Sequence, residues 1–156
     1  MRSEILEAAR ESLNIEKKEI ERLISYLNED SLLEAVEKLA NCKSIMTVAS
    51  GSSGIAAKKF AHSLCCIERH AMFMSPSEAV HGGLGALDSD DVMVMVSRGG
   101  KTVELLPIIS VCNKKKATLI AVTENEESIL ARSSDIVLKL NIDKESDPLG
   151  LMATSS

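Results

Sequence analysis

Aromatic side chains are nearly missing, with no tryptophan, one tyrosine and two phenylalanines in 156 residues. A core must therefore be built from isoleucine, leucine, valine, methionine and alanine. Long apolar runs are missing too. None reaches the roughly 18–20 residues that span a bilayer, and the leading MRSEILEAARESLNIEKKEIERL is too charged for a signal-peptide core. No membrane association is expected, and a cytoplasmic location is. Basic excess is absent as well. The net charge of −5 argues against nonspecific nucleic-acid binding, although a local site on an acidic protein can still take an anion. The four cysteines, Cys42, Cys65, Cys66 and Cys112, have no CxxC or other ligand-like spacing. They read as buried thiols of a cytosolic protein, with the vicinal Cys65 and Cys66 filling a helix core rather than forming a redox pair. There is no internal repeat, low-complexity tract or linker.

What remains is an ordinary soluble-domain composition, 45% apolar and 26% charged. A chain of this size buries roughly 70% of its unfolded surface, enough for a core without metal or disulfide. Ile5, Leu6, Ala9, Leu13, Ile20, Leu23, Ile24 and Leu27 recur at helical spacing and predict one amphipathic helix over the first 29 residues. Asn28–Asp30 interrupts it, and Ser31 with Glu34 forms a capping-box pattern for a second helix to about Ala40. From residue 44 the pattern changes to short apolar runs at 44–49, 71–74, 91–97, 117–123 and 135–140. Helical patterns at 53–66, 77–85, 102–114 and 126–132 separate them. Strands apolar on both faces and alternating with helices predict a three-layer α/β/α sandwich with a five-stranded parallel sheet, preceded by a helical hairpin. The hairpin could cover one face of the sheet. Its surplus apolar surface favours self-association instead.

Two of the strand-to-helix connections are unusually small and rich in hydroxyls: ASGSSG (49–54) and SRGGKT (97–102). In open α/β sheets, ligands bind beyond the carboxyl ends of strands. Helix N-termini there offer unpaired N–H groups and partial positive charge to a phosphate. Either turn alone could be no more than a tight connection, but two of them are harder to dismiss. Neither completes a Walker A or a GxGxxG fingerprint, so nucleotide binding is not indicated.

These turns, with SPSEAVHGGLGAL (75–87) and DKESDPLGLMATSS (143–156), resemble the sugar isomerase (SIS) domain, and within it the arabinose 5-phosphate isomerase family. The resemblance implies a flavodoxin-type SIS fold and a phosphosugar ligand, with the phosphate held by Ser53, Ser97 and Thr102. Gly51, Ser52, Gly99 and Lys101 complete the binding turns. Gly99 stands where the family turn commonly has a second serine, and Ser52 where close members carry lysine. A family histidine sometimes linked to zinc falls at Ser75, so no metal is expected. Catalytic roles are implied for His81, Glu104 and Glu145.

Read by themselves, those three residues have ordinary explanations. Glu104 could favour a helix dipole by roughly 0.3–1 kcal/mol, His81 could cap a helix, and Glu145 could be solvated loop. Aldose–ketose isomerisation needs a base that moves a proton between adjacent carbons and a group that steadies the enediol oxygen, with no cofactor. Which carboxylate would be the base stays open. His62 and His70 match no catalytic position and read as surface or packing residues.

The expected whole is a single SIS domain over 1–156, with a helical hairpin at 1–41 and an α/β core at 42–156 that lacks the family's C-terminal helix. Its expected activity is phosphosugar aldose–ketose isomerisation, with arabinose 5-phosphate and ribulose 5-phosphate as the first pair. The competing expectation is a noncatalytic phosphosugar-binding or regulatory module. A homo-oligomer, dimer or tetramer, is expected in either case.

Overall fold

Valine and methionine alternate through Val92–Val96, and successive side chains on a strand point to opposite faces. Both faces of this segment are buried, which makes it the middle of a sheet covered on both sides. In the computed structural model, which describes residues 1–149 and 151–156, the elements are α1 (Arg2–Tyr26), α2 (Glu29–Asn41), β1 (Ile45–Val48) and α3 (Gly51–Cys66). Then come β2 (Ala71–Met74), α4 (Pro76–Val80), a 3-10 turn (Gly83–Ala86) and β3 (Val92–Val96). A second 3-10 turn (Val103–Leu105), α5 (Leu106–Lys115), β4 (Thr118–Thr123), α6 (Ile129–Arg132) and β5 (Ile136–Lys139) complete the chain. No helix among the described residues is long and apolar enough to cross a membrane.

Two compact units result. Residues 28–139 form one, and residues 1–27 with 140–156 form the other. In the first, five parallel strands lie in the order β2-β1-β3-β4-β5. Val92 and Val94 join Ile45, Ile120 and Ile136 on one face, beneath Ala35 of α2 and Leu64 of α3. Met93 and Met95 join Met46, Val48 and Leu119 on the other, against Ala79 of α4, Ile108 and Cys112 of α5, and Leu130 of α6. Each fully buried Leu, Ile or Met contributes about 1.5–3 kcal/mol of burial. The result is the three-layer α/β/α sandwich expected from the alternation of strands and helices.

Chain direction fixes where a ligand can enter. After β1 the chain turns aside through α3 to β2, then crosses the other face to reach β3 on the far side of β1. The helices therefore leave in opposite directions from the ends of β1 and β3, opening a crevice at that switch point.

Several boundaries differ from the sequence pattern. The capping box does not form at Ser31; the Asn28 side chain accepts the Ser31 N–H at 3.0 Å, so α2 is capped three residues earlier and starts at Glu29. A helix over 77–85 is cut at Gly82, whose φ of +121° no right-handed helix can contain. The expected 126–132 helix shrinks to the four residues of α6, because Ser128 caps it through the Ala131 N–H. Cysteine burial also departs from expectation. Cys112 is buried, and desolvation pushes its thiol up to about 12. Cys65 and Cys66 are exposed at the C-terminal end of α3, where the Cys65 thiol donates to the Ala71 carbonyl of the edge strand β2 at 3.1 Å.

Candidate active site at the ends of the first and third strands

The connection after β1 is made by Ala49, Ser50 and Gly51. Gly51 has a φ of +59°, a conformation that glycine adopts without strain. Gly54 N–H donates to the Ser50 carbonyl at 3.1 Å, the first bond of the α3 spiral. The N–H groups of Gly51, Ser52 and Ser53 precede it and face out of the helix start, as orphan donors do. Ser50, the N-cap, does not spend its hydroxyl on them. That hydroxyl donates instead to Glu104 Oε2 at 3.3 Å, tying the first turn to the second. Gly54 lets α3 approach closely, since a Cβ there would lie 2.9 Å from the Ala49 carbonyl oxygen.

The turn after β3 is held on several sides. Gly100 N–H donates to Ser97 O at 3.0 Å, with Gly100 at a φ of +63°. Thr123 Oγ1 and the Glu124 N–H both donate to Arg98 O at 2.9 Å, and the Arg98 guanidinium meets Glu124 at 2.6 Å. The buried Ser97 hydroxyl and the Thr102 hydroxyl share one hydrogen bond of 2.8 Å. Lys101 lies exposed at the tip, as does Gly99. Glu104 sits in the 3-10 turn that leads into α5, rather than in the regular helix expected over 102–114. Pro107 explains the split: it falls in the first turn of α5, where its missing N–H costs nothing.

Between the turn after β1, the 3-10 turn that carries Glu104, and α4 lies a cleft of about 580 Å³. Ile55, Phe73, Pro76, Val80 and Pro107 give it apolar walls, while Ser50, Lys58, Ser75, Ser77 and Glu104 bring polar groups to it. Ser75 caps α4 through a reciprocal box with Glu78, with bonds of 3.2 and 3.1 Å to and from the backbone. The Ser75 hydroxyl and N–H, with the charge of Lys58, hold the Glu78 carboxyl below its ordinary range against a small desolvation.

Of the residues singled out in the sequence, Gly51 and Glu104 line this cleft. Ser52 and Ser53 stand at the start of α3, and Ser97 pairs with Thr102. His81 is exposed at the C-cap of α4, directly after the cleft residue Val80. Glu145 belongs to the other compact unit. Sequence reasoning misses Ser50, Lys58 and Ser77, and reaches Ser75 only as the place of an absent histidine. Lys58 has a signal, since 51, 54, 55 and 58 fall on one helical face at i, i+3, i+4 and i+7.

Glu145 is unusually well provided with donors. Its Oε2 accepts the Thr154 N–H (2.8 Å), the Thr154 hydroxyl (2.9 Å) and the Ser155 N–H (2.7 Å), and Oε1 accepts the Ser156 hydroxyl. Desolvation pushes the carboxyl up, but the bonds from Ser156, Ser155 and Thr154 outweigh it and draw the value down to about 2. A carboxyl depressed in the fold stabilises it fully above the unfolded value of 4.5, and that contribution fades as pH falls toward 2. The Thr154 and Ser155 amide resonances should therefore titrate together with a midpoint near 2. A midpoint at the ordinary carboxylate value would contradict this arrangement.

The SIS domain family model matches residues 38–156. Arabinose 5-phosphate isomerase KdsD of Salmonella typhi is 34% identical over 151 residues, covering 96% of this chain and 46% of that protein. The chain thus spans about half the length of the curated relatives it matches. Among solved structures, a candidate sugar-phosphate isomerase from Listeria monocytogenes superposes with a TM-score of 0.95 at 42% identity, over 99% of this chain and 82% of that one. An Escherichia coli CFT073 protein in complex with arabinose 5-phosphate gives 0.92 at 28% identity, over 100% and 83%.

Proposed function

The chain belongs to the SIS-domain family, and from that premise we propose that it binds a phosphosugar at the ends of β1 and β3 and interconverts its aldose and ketose forms. The observation that supports this most is the Ser50–Glu104 hydrogen bond at 3.3 Å. It holds a carboxylate on the wall of an apolar cleft, beside the open N–H groups that start α3.

The phosphate binds at those N–H groups, with the hydroxyls of Ser53, Ser97 and Thr102 and the charge of Lys101 and Lys58 around it. The carbon chain enters the cleft. Glu104, as carboxylate, takes the proton from C2 of the aldose, leaving an enediolate, and returns it to C1. His81 moves the accompanying proton from O2 to O1, so that the ketose leaves with no net gain or loss. Glu145 stays ionised. A group with a value near 2 is a weak proton acceptor, which favours Glu104 as the base. Two features support arabinose 5-phosphate and ribulose 5-phosphate as the pair: the curated KdsD relatives and the arabinose 5-phosphate complex of the Escherichia coli structure.

The deciding experiment is incubation of the chain with arabinose 5-phosphate in deuterium oxide, followed by NMR. Deuterium should appear beside the carbonyl of the ribulose 5-phosphate formed. If pentose and hexose phosphates raise the melting temperature yet none exchanges, the chain is a noncatalytic phosphosugar-binding module. With neither response, the proposal fails entirely.

A further inference from the structure

We infer that Glu19, on α1, is a positioning residue for the segment that carries Glu145. Glu19 is only 6% exposed, unlike the other carboxylates of its helix. Its Oε2 accepts the Asp143 N–H at 3.0 Å and its Oε1 accepts the Lys144 N–H at 3.2 Å, while Arg22 Nε lies 3.9 Å from Oε2.

The neighbouring contacts bracket the same residue. Arg22 Nη2 donates to Asn141 Oδ1 at 3.2 Å, and the Ser146 hydroxyl donates to Glu16 Oε1 at 2.9 Å. Glu16, Glu19 and Arg22 follow one another at i, i+3 and i+6 along one side of α1, and their partners lie on both sides of Glu145 in sequence.

Burying a carboxylate carries a desolvation cost that only close partners offset. An ordinary surface loop would leave the N–H groups of residues 143 and 144 to water. Here they are consecutive donors, each aimed at a separate oxygen of one carboxylate. That fixes the peptide planes immediately before Glu145, and with them the direction in which its side chain leaves the backbone.

The test is Glu19→Gln, which keeps one acceptor oxygen and turns an amide donor toward the other N–H. The NMR titration midpoint of Glu145 should climb from about 2 toward its ordinary value. An unmoved midpoint overturns the inference. If Glu19→Gln does not fold, Ser146→Ala removes one bracketing bond without stranding a charge. It should move the midpoint the same way by less, and no movement counts against the inference.

Discussion

Replacing Glu104 with glutamine is expected to lower kcat for aldose–ketose interconversion by about 10²- to 10⁴-fold, the usual contribution of a positioned general base. KM should stay within about threefold, because the change removes a proton acceptor and not a binding contact. Glutamine is nearly isosteric and can still accept from Ser50 through its amide oxygen, so the bond that ties the two turns can persist. The cleft and the start of α3 should keep their form, and a sugar-phosphate thermal shift should survive the substitution. Solvent-deuterium exchange of the bound sugar reads the chemical step alone. If exchange continues at close to the parent rate, Glu104 is not the base.

The largest structural effect is expected from Gly100→Ala. Gly100 has a φ of +63°, and a Cβ there would lie 2.1 Å from Ser128 Oγ and 2.4 Å from Ser128 Cβ. Ser128 cannot easily yield, being 1% exposed and capping α6 through the Ala131 N–H at 3.1 Å. The substitution adds backbone strain of about 1–3 kcal/mol to a lost cap of about 0.5–2 kcal/mol. A loss of roughly 3 kcal/mol lowers the melting temperature by about 6–12 °C for a chain of this size. Ser97 and Thr102 would be displaced with the turn, so phosphosugar affinity should fall as well. Gly99→Ser is the control: nothing lies within 4 Å of a Cβ there and its φ is not positive, so it should melt with the parent. Thermal denaturation followed by circular dichroism separates the two. Equal melting temperatures for Gly100→Ala and the parent would mean the turn is not built this way.

The sheet was legible in the sequence because its strands are apolar on both faces and short. Val92–Val96 could hardly be anything else between two polar turns. The two turns were legible because hydroxyls and glycines at strand ends have few other uses. Starts and stops of helices were less so. Asn28 and the Ser31–Glu34 pair both fit a capping signal, and only the packing of α2 on the sheet selects the earlier start. Ser50 could not be found from spacing, because its significance lies in the bond that its hydroxyl makes to Glu104 at the cleft. The same holds for Glu19. As one of several glutamates on a charged helix it reads as solvated, and only residues 143 and 144, more than a hundred positions away, explain its burial.

That distance has a kinetic consequence. The βα repeats of residues 28–139 close through neighbouring segments, whereas the Glu16, Glu19 and Arg22 bonds join positions 119 to 130 apart. Contacts of such span carry the heaviest chain-closure entropy and are made late. The segment bearing Glu145 should therefore acquire its native hydrogen bonds last in refolding, after the sheet exists. It should also be the first to lose amide protection when denaturant is added.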